Sequence, residues 1–352
     1  MTTKRVFAAV SGGVDSSTAA ALLCQQGYDC AGVFMITHDR FQPAMEDAET
    51  VCRQLGIPFY VLDLRTRFEQ ILDYFCDTYL QGKTPNPCVL CNRIIKFGLV
   101  WDFAREHGAD FLATGHYARI LCRNGQYGLY QASNTAKDQS YVLSMVRREM
   151  LSRILLPMAE QVSKEDTRQT AQRFGLHTHS KEDSQEICFI PDDDYAAVLA
   201  QRRPTAFQPG PIVDTAGKVL GQHNGIHHFT IGQRRGLRIA LGKPAYVVRI
   251  DATTHTVVLG SREELASRRL LAEQINWLVE PPAQPFRSLV KIRYNHGGAW
   301  ASVTPLSAQT AEVVFDEPVS AVTPGQAAVF YQTAEPALQV AGGGWIAQAI
   351  RE

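Results

Sequence analysis

Between residues 6 and 117 short apolar runs alternate with stretches of helical period. Residues 6–10, 32–35, 59–63 and 111–114 read as strands. The segments between them carry helix punctuation, with Pro early and Gly late. Residues 16–26 stop at Gly27, Pro43 opens a helix that runs to Leu55 and Gly56, and residues 94–107 stop at Gly108. A βαβα alternation predicts a parallel sheet with helices on both faces. Residues 117–131 read as a hairpin turning at Asn124-Gly125, followed by a further amphipathic helix capped by Asp138 or Ser140. Near residue 205 the texture changes. Pro204, Pro209, Gly210 and Pro211 mark a linker, and Gly-, Thr- and Val-rich short runs follow, broken again at Glu280-Pro281-Pro282. Residues 288–294, 311–315 and 327–331 are strands of a last unit. The pattern predicts an α/β domain over residues 1–205, a small β-rich module over 206–280 and a β unit over 281–352.

Composition narrows the class. The 352 residues are 45% hydrophobic and 20% charged, enough for two or three cores. Lys plus Arg equal Asp plus Glu at 35 each. With no net charge, no polyelectrolyte attraction to nucleic acid or membrane acts on the whole chain, so any such contact is local. Eight cysteines are too few for a disulfide scaffold and fit a reducing compartment. The first residues carry no charged leader, and no run approaches the roughly 18 apolar residues of a membrane span. A cytoplasmic protein without membrane contact is expected.

Chemistry concentrates in a few strings. Ser11-Gly12-Gly13-Val14-Asp15-Ser16-Ser17 stands between the first strand, ending at Ala9 and Val10, and the first helix. Glycines allow close backbone approach, and free N–H groups at a helix start, with the Ser hydroxyls, cradle a phosphate. The lysine of a Walker loop is missing, and there is no Gly-x-Gly-x-x-Gly. Asp15 is read as a magnesium ligand or loop-bracing carboxylate, or else as a capping residue of the helix. Met35 and Gly115-His116 end neighbouring strands, and ligands of open parallel sheets bind at strand carboxyl ends. Asn86-Pro87-Cys88-Val89-Leu90-Cys91 delivers a Cys-x-x-Cys pair to a helix start. With Arg93 and Lys96 close by, Cys91 is expected to have a depressed pKa and to be largely thiolate. A zinc site would need a second such pair. Cys188 lies 97 residues further on and meets the pair only through the fold. Cys24, Cys30, Cys52 and Cys76 fall in apolar patterns and read as packing residues.

Together SGGVDSS, NPCVLCN, TGHYA, KDQSY, SQEICFI, HFTIGQRRGL and AVTPGQAAVFY resemble, in order and spacing, the bacterial and organellar tRNA 2-thiouridylases. The loop alone resembles the wider group of ATP-pyrophosphatase enzymes. The resemblance implies an adenine-nucleotide α-hydrolase-like first domain and a C-terminal β-barrel. It implies ATP, bound by Ala9 to Ser16, Met35 and Gly115, with magnesium. It implies sulfur transfer to C2 of the wobble uridine (position 34) of tRNAs accepting Lys, Glu and Gln, from a sulfur-donor protein of a persulfide relay. By similarity Cys188 carries the persulfide, and Cys91 either attacks it, leaving a Cys91–Cys188 disulfide, or assists transfer. Asn86, Pro87 and Cys88 match the base-contacting segment. His116, Lys137, Asp138, Gln139, Arg293, Tyr294, Asn295 and Gln326 match tRNA-contacting positions. Cys88 stands where the best-known members have an acid/base Asp, which resembles a subgroup holding a [4Fe-4S] cluster on three cysteines, here Cys88, Cys91 and Cys188. The competing readings are a pyrophosphatase-loop ligase acting on a small molecule and a non-catalytic RNA-binding adaptor.

Overall fold

The computed structural model describes residues 3–350 apart from 162, 183–186, 191–193, 205, 207, 238, 240, 241 and 243. The chain divides into two compact units, both discontinuous in sequence. The first comprises residues 1–69, 88–189 and 333–341, and the second 70–87, 190–332 and 342–352.

The first unit is built on β1 (Arg5–Ala9), α1 (Val14–Gln25), β2 (Asp29–Ile36), α2 (Gln42–Leu55), β3 (Phe59–Asp63) and β4 (Phe111–Ala113). The strands run parallel in the order β3-β2-β1-β4, and Ile154–Leu155 adds a fifth beside β4. That two-residue strand is too short to show in hydrophobic periodicity. The middle of the sheet reads as near-continuous apolar sequence because helices cover both faces: Val6 and Phe7 of β1 and Val33 of β2 are fully buried. The chain enters β1, crosses through α1 and returns in β2 alongside. Order 3-2-1-4 places the carboxyl ends of β1 and β4 side by side, and with them the two loops that follow.

The expected hairpin forms as Arg119–Arg123 and Gln126–Tyr130, its two turn residues both at positive φ, 49° for Asn124 and 77° for Gly125. Such a pair is the primed turn that matches strand twist. The expected helix over 94–107 begins earlier than its apolar period suggested. Pro87–Cys91 is an α-helical turn, Asn92–Val100 continues as a π-helix and Trp101–Glu106 finishes as α-helix. Pro87 supplies the early-proline signal. The amphipathic helix expected after residue 139 is only Ser140–Leu143, a single turn.

In the second unit a four-stranded sheet over residues 210–260 packs Ile212, Val247, Val257 and Leu259 against Ile226 and Phe229. Six further strands close on themselves through the pairing of Ala266–Trp277 with Gln339–Ile350, forming a β-barrel. Ala266–Trp277 precedes the Glu280-Pro282 break, yet its residues from Ala266 to Glu273 pair with Thr310–Ser320 of the barrel. Among the described residues no helix is long and apolar enough to cross a membrane.

Candidate active site

The phosphate-type loop lies in the first unit between β1 and α1. Its hydroxyls organise it from within: the Ser11 amide donates to Ser16 Oγ at 3.0 Å, and Ser16 Oγ donates to the Gly13 carbonyl at 3.1 Å. Ser17 Oγ also donates to Gly13 O, at 2.8 Å. Ser11 is exposed while Gly12, Val14 and Ser16 are buried, so the loop shows solvent one edge. Gly12 has φ +73°, and a Cβ there would lie 2.3 Å from the Ala44 carbonyl oxygen of α2. Only glycine satisfies both conditions. Gly115, just past β4, meets the start of α1 so closely that a Cβ would lie 2.7 Å from the Ser16 nitrogen. Met35, half-buried at the end of β2, completes the carboxyl edge.

Asp15 braces the loop. Its Oδ1 accepts from Tyr117 Oη and from Lys164 Nζ, each at 2.7 Å. A second lysine arrives from still further along the chain: Lys181 Nζ donates to the Gly12 carbonyl at 3.0 Å and pairs with Asp47. Asp47 also accepts from His177 Nε2 at 2.9 Å. Burial would raise the Asp47 carboxyl, but Lys181 and His177 outweigh it and hold it below the ordinary carboxylate range. The sequence reading missed Tyr117, Lys164, His177, Lys181 and Asp47. Their only signal is tertiary, since the two lysines stand 149 and 169 residues from the loop positions they contact.

Cys88, Cys91 and Cys188 belong to this same unit. Cys88 and Cys188 are exposed and Cys91 is half-buried. Burial of the surrounding site pushes Cys91 up to about 12, Lys96 pulls it partly back, and Cys188 and Cys88 raise it further. Burial likewise lifts Cys188 to about 11, with Cys88 adding to the rise and Lys96 opposing it. Cys88 is raised by burial and lowered by Lys96. The three sulfurs and Lys96 are therefore within electrostatic reach of one another. The expected low-pKa Cys91 is corrected: the helix starts at Pro87, so Cys91 sits a turn inside it, where the dipole end no longer helps and desolvation decides. Nor do the three sulfurs form a ligand set: among the described residues no group of three His, Cys, Asp or Glu side chains could hold a metal ion. Ser184, Gln185 and Glu186, which precede Cys188 in its motif, lie outside the described residues.

His116 follows Gly115 in the same unit. Its Nδ1 bonds Thr114 Oγ1 at 2.8 Å and its ring lies 6.2 Å from that of Phe97. Burial, with Lys96, holds it well below the ordinary histidine value, so it is neutral at pH 7. Lys137 and Gln139 are half-buried, and Gln139 Oε1 accepts from the Tyr117 amide at 2.9 Å. Asp138 is buried, with Oδ1 accepting from the Ala132 and Ser140 amides and Oδ2 from Ser140 Oγ. Its carboxylate thus braces the turn before the helix, whose N-cap position is Gln139 with no side-chain cap, so neither Asp138 nor Ser140 caps the helix as expected.

In the second unit Gln326 Nε2 donates to the carbonyls of Thr84 at 3.2 Å and Pro85 at 2.9 Å, and the Asn86 amide donates to Tyr74 Oη at 3.3 Å. Gln326 therefore fixes the backbone leading into Asn86 and Pro87. Arg293, Tyr294 and Asn295 are exposed in the loop after Phe286–Lys291.

Three family models match in succession: a tRNA methyl transferase HUP domain over residues 4–192, a tRNA methyl transferase PRC-barrel domain over 197–261 and an aminomethyltransferase β-barrel domain over 267–346. The tRNA-specific 2-thiouridylase MnmA of Syntrophotalea carbinolica is 47% identical over 98% of this chain and 99% of its own length. That of Magnetococcus marinus is 46% identical over 97% and 99%. Among solved structures, an NMN synthetase from Francisella tularensis aligns with 51% of this chain and 66% of its own at 15% identity, with a TM-score of 0.34. With the three family models and the two relatives together spanning the chain from end to end, the chain belongs to the tRNA-specific 2-thiouridylase family.

Proposed function

We propose that the protein is an ATP-dependent tRNA sulfurtransferase that converts C2 of the wobble uridine to its thio form. The observation that carries this reading is that one compact unit holds both the phosphate-type loop at the carboxyl edge of a parallel sheet and three cysteines within mutual electrostatic reach. In the first step a lone pair of the uridine O2 attacks the α-phosphorus of ATP. The bridging P–O bond breaks, and pyrophosphate leaves with its electron pair into the N–H groups at the start of α1. The oxygen on C2 is now part of AMP, a good leaving group.

The Cys188 thiolate then attacks the outer sulfur of a persulfide on a donor protein; that S–S bond breaks, the donor leaves as its thiolate, and Cys188 carries the persulfide. The Cys91 thiolate attacks the inner sulfur of that persulfide, forming a Cys91–Cys188 disulfide and releasing hydrosulfide. Hydrosulfide adds to C2, and AMP departs with the C–O electron pair. An external dithiol restores the two thiols. Cys91 must lose a proton to act, and Lys96 is the cation beside it that lowers the cost. Cys88 is in reach of both partners and is suited to carrying a proton between sulfur and base.

A magnesium ion accompanying ATP would supply charge neutralisation of the phosphates, and Asp15 is the residue of this loop that would face it. Asp15 Oδ2 would supply a protein oxygen, since among the described residues both hydrogen bonds to its carboxylate end on Oδ1. The cysteines as arranged among the described residues do not fit an iron–sulfur cluster. Iron and labile sulfide in anaerobically prepared protein, measured against thiolation by iron-free enzyme, decide between the two routes. Full activity without iron is expected.

The reading is tested by pyrophosphate release from ATP with and without bulk tRNA. Stimulation by tRNA, with sulfur appearing in the RNA, is expected. Turnover indifferent to tRNA, with a small molecule adenylated instead, would replace the proposal with the ligase reading.

A further inference from the structure

The loop lacks the lysine that a Walker loop carries within its own sequence, yet two lysines are brought to it from a distance. Their situations differ. Lys164 is committed: its side chain is 17% exposed and its ammonium lies 2.7 Å from Asp15 Oδ1, which cancels the one negative charge in the first turn of α1. Lys181 is 41% exposed and has reach to spare. An ammonium has three donors. Two of those on Lys181 go to Gly12 O at 3.0 Å and to Asp47, and among the described residues no partner takes the third. The acceptor on Gly12 matters because that residue is wedged against α2 and cannot recede, so the ammonium is fixed one hydrogen bond from the loop backbone. On the other side Asp47 is shared with His177, which holds the Lys181 chain over the loop rather than in solvent.

We propose that Lys181 is the cation that receives the pyrophosphate end of ATP at this loop. The assignment rests on the reading of the loop as an ATP site. When the bridging bond at the α-phosphorus breaks, negative charge accumulates on the departing pyrophosphate. A fixed ammonium beside the α1 N–H groups offsets that charge without reorganisation. Lys164 and Asp15 form the neutral brace beneath it.

The test compares ATP with AMP, which has the same base, sugar and α-phosphate but no pyrophosphate. Lys181→Met is expected to weaken ATP binding about thirtyfold by titration calorimetry and to leave AMP within about twofold, while Lys181→Arg stays within about threefold for both. If Lys181→Met weakens ATP and AMP equally, or neither, the assignment is overturned, because a tether that merely shapes the loop would not discriminate. A second measurement needs no variant. In the wild-type protein, acetylation of Lys181 by an activated ester is expected to slow at least fivefold with inorganic pyrophosphate and less than twofold with AMP. Absence of protection by pyrophosphate overturns the assignment. Wild-type protein that binds ATP but never thiolates tRNA would end the sulfurtransferase reading and leave this one standing.

Discussion

Adding a single methyl group at Gly115 tests whether the end of β4 and the phosphate loop form one rigid construction. A Cβ at Gly115 would sit 2.7 Å from the Ser16 nitrogen, 2.8 Å from the Asp15 carbonyl carbon and 3.0 Å from its oxygen. Ordinary contacts of this kind begin near 3.4 Å, so the first turn of α1 must retreat by roughly 0.7 Å. All three obstacles are backbone atoms, so no side chain can swing aside. Overpacking of this sort costs about 1–3 kcal/mol. Since the atoms displaced are those that would face the phosphates, Gly115→Ala is expected to lower melting temperature and also to weaken ATP binding about tenfold. Gly12→Ala should be worse. It adds a side chain at φ +73°, a strain of about 1–2 kcal/mol, to a contact of 2.3 Å with the Ala44 oxygen. Melting curves and titration calorimetry with ATP read both quantities. Gly115→Ala protein that melts normally and binds ATP within twofold of wild type would refute the claim that β4 positions the loop.

Two further outcomes follow from the titrating groups. His227 is buried and held down to about 4, first by burial and then by His228 and His223, against a value near 6.5 when unfolded. Below 6.5 the unfolded chain takes up the proton first, so this stabilisation is complete above pH 6.5, declines as pH falls to about 4 and is flat below. Its ceiling is ~3 kcal/mol, and urea unfolding at pH 7.5 and 4.5 should show His227→Phe losing less stability than wild type; an equal loss would contradict this. With Cys91 pushed up to about 12, its alkylation at pH 8 should be on the order of a thousandfold slower than that of a free cysteine, rising tenfold per pH unit. An inflection at or below pH 8.5 would restore the thiolate expected from the sequence.

The parallel sheet and the loop were legible because periodicity and glycine placement are local signals. The hairpin at Asn124-Gly125 was legible for the same reason. Where a feature depends on contact between distant segments, local pattern was silent or misleading. Cys91 was read at a helix start because the apolar period begins at Ile94, but Pro87 opens the helix earlier and the π-wound stretch after Cys91 disguises its period. Asp138 matched an RNA-contacting position, yet three internal donors claim its carboxylate. Lys181 had no local reason to be tied to Gly12.

The central claim is that this chain moves sulfur onto tRNA by way of Cys91 and Cys188. Nucleoside mass analysis of tRNA from cells lacking the gene, complemented with wild type, Cys91→Ser or Cys188→Ser, measures it directly. Wild type should restore 2-thiouridine derivatives at the wobble position of the Lys, Glu and Gln acceptors, and neither serine variant should. Thiolation that persists in both serine variants, or none with wild type, would contradict the account.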